Sequence, residues 1–230
     1  DFTVGLKKVL KSRGVVTLEF PHLLRLLEEN QFDTIYHEHF SYLSLHTASR
    51  IFKQAGLKIW DVESLSTHGG SLRVYGCHSY DSRQISTSVQ EVLAEEQSNG
   101  LKQLSTYLGF QERVDRVKTR LLFYLTEQKR AGKMVAAYGA AAKGNTLLNY
   151  AGITPDLISF VCDAAPSKQG KYMPGSHIPI FPPSMLCERK PDIILILPWN
   201  LTEEVIYQNA FVREWGGKFI TAIPQIRVLN

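Results

Sequence analysis

Four consecutive polar residues, Tyr36-His37-Glu38-His39, form the part of the sequence best suited to acid–base chemistry. A histidine has an ordinary pKa of about 6.5, so it can accept a proton at neutral pH. Glu38 can orient an imidazole or stabilise its cation, and Tyr36 can donate to a developing oxyanion. A polar surface loop is the alternative, because short motifs often occur by chance. A metal cluster is less favoured, since no Cys or Asp stands at ligand spacing.

A second candidate is the turn His68-Gly69-Gly70. Residues 57–62 and 71–75 alternate apolar and polar side chains, which predicts an antiparallel strand pair joined through this turn. The two glycines allow positive φ and a close backbone approach. The turn therefore places His68 at the end of a sheet, although a plain hairpin connection explains it equally well.

The last hundred residues show the pattern of an α/β domain. Continuous apolar runs at 133–138, 157–162, 192–197 and 218–222 alternate with helical segments at 144–150 and 202–215. This pattern predicts a parallel sheet that is buried on both faces. Ligands bind such sheets at the carboxyl ends of the strands, where Gly139, Asp163 and Trp199-Asn200 fall.

The loop Gly139-Ala140-Ala141-Ala142-Lys143-Gly144 is the glycine-containing turn of this domain. It lacks the full G-x-G-x-x-G fingerprint, so it is weak evidence for dinucleotide binding. Asp163 follows at about the spacing of a ribose-binding acid. Lys143 opens a helix, where it can meet a phosphate or lie exposed to solvent. The polar loop 168–177 is long enough to fold over a ligand.

Composition excludes several classes of function. The 26 Lys and Arg residues are scattered and the net charge is +4, which argues against a nucleic-acid surface. No apolar run approaches the length of a membrane span, and no signal peptide opens the sequence. Three widely separated cysteines argue against a disulfide framework or a zinc site in these residues and favour a cytoplasmic location. Oligomeric state cannot be inferred from these features.

The sequence divides into three segments. Residues 1–78 alternate helix and strand, 79–131 form a helical connector, and 132–230 form the α/β domain. In the connector, an apolar stripe indicates an amphipathic helix, and we assign it no chemistry. The first residue is Asp1 and the pattern starts with a late helix. We therefore expect a further N-terminal portion in the encoded protein.

Taken together, these motifs resemble the S-adenosylmethionine-dependent C-methyltransferases that act on nucleotide-linked sugars. The resemblance is carried, in family order, by five stretches and covers nearly the whole chain. They are Ile35-Tyr36-His37-Glu38-His39-Phe40 with Ser44-Leu45, Ala55-Gly56-Leu57, His68-Gly69-Gly70-Ser71-Leu72-Arg73, Tyr138 through Tyr150, and Lys168-Gln169-Gly170-Lys171.

The resemblance implies a domain plan. Residues 1–78 would be the last strands of a class I methyltransferase domain, and 132–230 a Rossmann-like C-terminal domain that contacts the nucleotide sugar. A cysteine-rich zinc module and the glycine-rich loop that binds S-adenosylmethionine would precede them. We therefore expect this chain alone to bind the cofactor poorly and to be inactive.

The resemblance also implies a site. His39 would be the base that removes a proton next to a 4-keto group, supported by Tyr36 and Glu38. Substrate contacts are expected at His68, Gly69, Gly139, Lys143, Asn145 and Lys168, with Lys143 and the N–H groups after Gly139 facing the phosphates. Two other classes stay open: a nicotinamide-dependent oxidoreductase using the 132–230 domain, and a non-catalytic module that binds a nucleotide sugar.

Overall fold

The computed structural model describes residues 1–229, and the chain divides into two compact units. The first unit contains Asp1–Glu29 and Phe40–Phe110, and the second contains Asn30–His39 and Gln111–Asn230. The chain therefore passes from the first unit to the second, returns, and passes to the second again.

The first unit is a three-stranded sheet with helices. Its strands are β1 (Val16–Pro21), β2 (Leu57–Leu65) and β3 (Ser71–His78). Its helices are α1 (Phe2–Val9), α2 (Leu23–Glu28), α3 (Leu45–Gln54), α4 (Thr87–Ser98) and α5 (Leu104–Leu108). The strand order is β1-β3-β2, and β3 is antiparallel to both neighbours. The predicted antiparallel pair of β2 and β3 is confirmed.

The core of this unit lies around the central strand β3. Val74 is paired with Leu18 on one side and Val62 on the other, and its side chain is completely buried. Helix α3 packs Leu45 and Phe52 into the same cluster. Burial of such apolar side chains stabilises the folded state by roughly 1.5–3 kcal/mol each. Strand β3 is the centre of this core because it pairs with both other strands.

The second unit is an α/β domain, as predicted. Its strands are β4 (Val135–Tyr138), β5 (Val161–Cys162), β6 (Ile180–Phe181), β7 (Ile193–Ile196), β8 (Lys218–Thr221) and β9 (Arg227–Leu229). Its helices are α6 (Phe110–Arg130), α7 (Ala142–Ala151), α8 (Ser184–Arg189) and α9 (Thr202–Gln208). The strand order is β6-β5-β4-β7-β8-β9, and the first five strands are parallel.

The central strands β4 and β7 indicate that this sheet is covered on both faces. All four residues of β4 and all four of β7 are buried, which matches their continuous apolar sequences. A strand that is apolar on both faces is stable only when both faces of the sheet are covered. The carboxyl ends of β4, β5 and β7 therefore meet at one edge, where the chain turns at Gly139, Asp163 and Leu197.

Several predicted boundaries were wrong. The strand predicted at 157–162 is only Val161–Cys162, because the N–H groups of Leu157 and Ile158 turn back to the carbonyl of Thr154. The helix predicted from about Thr202 to Trp215 ends at Gln208. The buried amide of Asn209 donates to the carbonyl of Val205 at 2.8 Å, and a 3₁₀ helix follows. Such local side-chain bonds compete with helix propagation.

Three elements were not predicted, and the connector is not one piece. Strand β6, helix α8 and the antiparallel edge strand β9 are additional to the predicted pattern. The region 79–131 forms α4, α5 and α6, and the boundary between the units falls at Phe110. Among residues 1–229 no helix combines the length and apolarity needed to cross a bilayer.

Candidate active site

The segment Asn30–His39 belongs to the second unit, together with the Gly139 loop. Its 3₁₀ helix, Phe32–Thr34, packs on α7, and the ring centroids of Phe32 and Tyr150 are 5.2 Å apart. The structure thus brings the predicted base and the predicted glycine loop into the same compact unit. The sequence grouped residues 30–39 with the first segment instead, since nothing in their spacing indicates the return of the chain.

The imidazole of His39 is oriented by the backbone. Its Nδ1 lies 2.8 Å from the carbonyl oxygen of Thr34. A carbonyl oxygen can only accept a hydrogen bond, so Nδ1 carries the proton and donates it. In the neutral imidazole the lone pair then belongs to Nε2, which is the nitrogen able to accept a proton.

The side chain of Tyr36 lies against His39. The two ring centroids are 4.2 Å apart, and the His39 N–H donates to the Tyr36 carbonyl at 2.9 Å. Both side chains are partly buried, whereas His37 and Glu38 are exposed. Tyr36 and His39 therefore pack against each other within the turn, and Glu38 lies on its solvent-exposed side.

An aspartate that sequence reasoning missed lies beside this turn. Asp33 is completely buried, and the indole N–H of Trp199 donates to its Oδ2 at 2.7 Å. Burial raises the pKa of Asp33 to about 6, although the Trp199 bond and the charge of Lys143 oppose the shift. Its Oδ1 has no hydrogen-bond partner within residues 1–229. The only available signal was an Asp-Thr pair between apolar Phe32 and Ile35.

Lys143 is directed towards the same group. Its Nζ donates to Oδ1 of Asn200 at 3.0 Å and lies 4.6 Å from the centre of the Trp199 ring. Burial lowers the pKa of Lys143, and the nearby Asp33 carboxylate partly offsets this effect. Lys143, predicted to contact phosphate, therefore also contributes to an internal polar cluster, which we call the Asp33 cluster: Asp33, Lys143, Trp199 and Asn200.

Asp163 stabilises the Gly139 loop. Its Oδ2 accepts from the Ala140 N–H at 2.7 Å and from Nζ of Lys168 at 3.0 Å, and its Oδ1 accepts from the Ala165 N–H at 2.8 Å. Asp163 as a whole residue is 7% exposed. Both oxygens are thus engaged by the protein itself, which argues against their use for the ribose of a dinucleotide.

A pocket of about 300 Å³ opens beside this loop at the carboxyl edge of the sheet. Asn145 and Lys168, both predicted as substrate contacts, contribute to its wall. Its lining is Ala140, Ala141, Ala142, Asn145, Ser167, Lys168, Lys171, Tyr172, Met173, Pro174 and Ile180. The buried Oδ1 of Asn145 has no hydrogen-bond partner within the described chain. The pocket therefore combines an apolar wall, two lysines and an amide, a lining that suits an anionic organic ligand.

The His68 turn lies in the first unit, in the 3₁₀ helix Thr67–Gly69 between β2 and β3. His68 is exposed and has φ +55°, and Gly69 and Gly70 have φ +84° and +115°. Both glycines thus adopt the positive φ that the sequence allows there. The predicted substrate contacts through His68 and Gly69 stay predictions.

Gly139 is required by both conformation and space. Its φ is +94°, and a Cβ atom there would lie 2.5 Å from Cδ of Pro198. We expect Gly139→Ala to lower the free energy of unfolding by about 2–4 kcal/mol, the sum of left-handed strain and a clash with a rigid ring. Urea denaturation measures this.

Gly152→Ala is the matched control, because Gly152 has φ +68° and no atom within 4 Å of the added methyl group. It should lose only about 1 kcal/mol, the conformational cost alone. Equal losses in both variants would contradict the steric role of Pro198.

The resemblance implies two cofactors, zinc and S-adenosylmethionine, and the residues present fit neither well. Within residues 1–229 no three His, Cys, Asp or Glu side chains converge as metal ligands. A pocket of about 580 Å³ in the first unit includes Arg13, Asp81 and Arg83 in its lining. Two guanidinium groups make this pocket a poor fit for the positively charged sulfonium of S-adenosylmethionine.

Comparison with known proteins identifies the family of this chain. Residues 66–224 match the family model described as the C-methyltransferase C-terminal domain. The chain is also 39% identical over 226 residues to a protein of Streptomyces niveus described as C-methyltransferase NovU. The match covers 98% of this chain and 54% of the relative, so the chain spans about half of the relative's length. The chain therefore belongs to the C-methyltransferase family.

Proposed function

We propose that the complete protein containing this chain is an S-adenosylmethionine-dependent methyltransferase. Its substrate would be a nucleotide-linked keto-deoxysugar, methylated at a carbon next to the keto group. The family match and the C-methyltransferase relative support the reaction class. The observation that carries the catalytic assignment is the 2.8 Å bond from His39 Nδ1 to the Thr34 carbonyl, because it leaves Nε2 as the basic nitrogen.

His39 would begin the reaction by removing a proton. The keto group acidifies the neighbouring C–H bond, and Nε2 of His39 accepts the proton as the bond breaks. The electron pair moves onto the carbonyl oxygen to give an enolate. The hydroxyl of Tyr36 would donate to that oxygen, and Glu38 would stabilise the imidazolium. S-adenosylmethionine, which residues outside this chain would largely hold, would supply the methyl group to the enolate carbon and leave as S-adenosylhomocysteine.

The nucleotide part of the substrate would occupy the pocket beside the Gly139 loop. Lys171 provides positive charge there, Lys168 lines the pocket while paired with Asp163, and the amide of Asn145 provides a polar contact. The N–H groups at the start of α7 have no side-chain cap and favour an anion. Lys143 would add a further contact within the same unit, and the contacts expected at His68 and Gly69 stay predictions.

The alternative of a nicotinamide-dependent oxidoreductase is not favoured. The family match is to a methyltransferase domain, and both oxygens of Asp163 are engaged within the protein. A module that only binds a nucleotide sugar is also not favoured, since the relative is a methyltransferase by its description. We also propose a cytoplasmic location for the enzyme. The zinc module implied by the resemblance would lie outside these residues.

The enolate step can be tested without methyl transfer. The complete protein is incubated in D₂O with a nucleotide-linked 4-keto-deoxysugar and S-adenosylhomocysteine, which cannot donate a methyl group. We expect deuterium at one carbon next to the keto group, measured by mass spectrometry and NMR. The corresponding 4-hydroxy sugar is the control and should not exchange, because its C–H bond is not acidified.

Two results would count against the proposal. Methyl transfer without any enzyme-dependent exchange would remove the enolate intermediate. Absence of methyl transfer from S-adenosylmethionine to every keto-deoxysugar nucleotide supplied would reject the proposed reaction as a whole.

A further inference from the structure

We propose that Asp33 is a positioning residue for His39, acting through the 3₁₀ helix Phe32–Thr34 and its hydrogen bond to Trp199. The inference rests on the proposed role of His39 as base and adds a residue that no motif of the sequence indicated. It concerns the second unit alone, to which Asp33, Trp199 and His39 all belong.

The covalent link between Asp33 and the His39 contact is short. Thr34 follows Asp33 directly, and its carbonyl is the acceptor for His39 Nδ1. The Thr34 hydroxyl donates back to the Gln31 carbonyl at 2.7 Å, and the Ile35 N–H donates to the Phe32 carbonyl at 3.0 Å. These bonds leave the 3₁₀ helix little freedom, so the position of Asp33 sets the position of the Thr34 carbonyl.

At the other end, Asp33 accepts a hydrogen bond from Trp199, which follows a strand of the parallel sheet. Trp199 follows β7 after Leu197 and Pro198, and its indole N–H reaches Oδ2 of Asp33 at 2.7 Å. Lys143, at the start of α7, faces the same carboxylate and stacks on the Trp199 ring. The Asp33 cluster thus joins the segment 30–39 to the 3₁₀ helix Trp199–Leu201 that follows β7 and to helix α7.

A carboxylate in this place is costly, which indicates a purpose beyond packing. Asp33 is fully buried, and its Oδ1 has no hydrogen-bond partner within residues 1–229. Buried charged groups of this kind often add little net stability compared with apolar residues, and can instead specify one arrangement. Here the arrangement specified is the one that presents the Thr34 carbonyl to His39.

Loss of this anchor should act on His39 in a defined way. If the Thr34 carbonyl moves, Nδ1 loses its acceptor and the imidazole populates both neutral tautomers. Only the tautomer with the lone pair on Nε2 has the base in the native orientation. A displacement of about 1 Å in a catalytic group can lower the rate by about 100-fold, so Asp33 can affect turnover without touching substrate.

The first test observes the tautomer directly in this chain. With ¹⁵N-labelled histidine, the signals of His39 are assigned by their absence in His39→Ala, at a pH where the imidazole is neutral. The native chain should show Nδ1 protonated and Nε2 unprotonated. Asp33→Ala and Trp199→Phe should both shift these signals towards the average of the two tautomers.

Two variants make the test specific. Trp199→Phe keeps an aromatic ring beneath Lys143 but removes the N–H donor together with part of the ring. Trp215→Phe is its matched control, because it removes an indole donor to the Pro191 carbonyl elsewhere in the same unit, and should leave His39 unchanged. Asp33→Asn should retain the native tautomer, since its amide oxygen can still accept from Trp199. If Asp33→Ala does not fold, Trp199→Phe and Asp33→Asn decide the question.

The second test measures methyl transfer by the complete protein. Asp33→Ala should lower kcat by about 10-fold to 100-fold with little change in KM, and Asp33→Asn should restore most of it. Combined with His39→Ala, Asp33→Ala should cause little further loss, because both changes act through one imidazole.

The outcomes separate this inference from the proposed function. If His39→Ala leaves turnover unchanged, the proposed role of His39 fails and the inference fails with it. If His39→Ala lowers turnover but folded Asp33→Ala or Trp199→Phe leaves the tautomer and kcat unchanged, only the inference is overturned. Independent, additive losses in the double variant would also overturn it.

Discussion

In the complete protein, His39→Ala is expected to lower kcat for methyl transfer by at least about 100-fold, with little change in substrate binding. General bases contribute about 10²–10⁴-fold to rate, and the Thr34 carbonyl orients this imidazole at 2.8 Å. Alanine removes the proton acceptor but leaves the pocket beside the Gly139 loop intact. Steady-state methyl transfer and isothermal titration with the nucleotide sugar measure the two effects.

His37→Ala is the matched control for this prediction. His37 is two residues away in the same turn, and its side chain is exposed. It should retain turnover within about 3-fold, as expected for an exposed side chain that supports no bond of the turn. Unchanged turnover in His39→Ala, or an equal loss in both variants, would remove His39 from the mechanism.

The largest effect on stability is expected at Glu96, in the first unit. Its carboxylate accepts from Nε2 of His22 at 2.9 Å and from the His46 N–H at 2.9 Å, and it also accepts from the Leu45 N–H. Glu96 and His22 are each 2% exposed. One side chain of α4 thus accepts hydrogen bonds from the backbone N–H groups at the start of α3 and from a buried histidine. Removal of one partner from such a buried arrangement costs about 3–5 kcal/mol.

Glu96→Ala should therefore lower the free energy of unfolding of the first unit by about that amount. Urea denaturation measures the loss, and hydrogen exchange at the Leu45 and His46 amides should localise it to α3. Glu95→Ala is the control, since the Glu95–Arg25 pair is partly exposed and such pairs contribute about 1 kcal/mol or less. A loss in Glu96→Ala no greater than in Glu95→Ala would contradict the assigned role.

The same carboxylate predicts a dependence of stability on pH. Burial alone would raise the pKa of Glu96, but its hydrogen bonds from His22, His46 and Leu45 outweigh burial and hold the pKa below its ordinary value of 4.5. A carboxyl whose pKa is lowered by folding stabilises the folded state above its unfolded pKa. This contribution should be complete above pH 4.5 and be lost as the pH falls through the folded pKa, and Glu96→Gln should lack this dependence.

The sequence predicted the regular elements better than the polar contacts. The strand pair β2–β3 and the strand β4 with its glycine turn follow from short-range apolar patterns, which are local properties. Strands β6 and β9 have only two and three residues, too few to establish a period. Glu96 looked like one of many solvated charges in a helical segment, and its burial depends on His22, which lies 74 positions away in sequence.

The same reasoning explains what was found and missed at the site. Tyr36, Glu38 and His39 stand together in sequence, so their chemistry could be inferred from residue type. Asp33 has no such neighbour, because its partner Trp199 lies 166 positions later. The Thr34 carbonyl leaves no trace in the sequence at all, since every residue has a backbone carbonyl. A tautomer set by the backbone is therefore visible only in the structure.

The path of the chain also has a consequence for biosynthesis. Asn30–His39 leaves the ribosome well before α6, β4 and α7, yet it is part of the same compact unit as those elements. The partners of Phe32 and Asp33 are Tyr150 and Trp199, which are synthesised more than a hundred residues later. These contacts can form only after that. The second unit is thus not encoded by one continuous stretch of the gene. A recombination that transferred only Gln111 onwards would supply the sheet without the turn that carries His39.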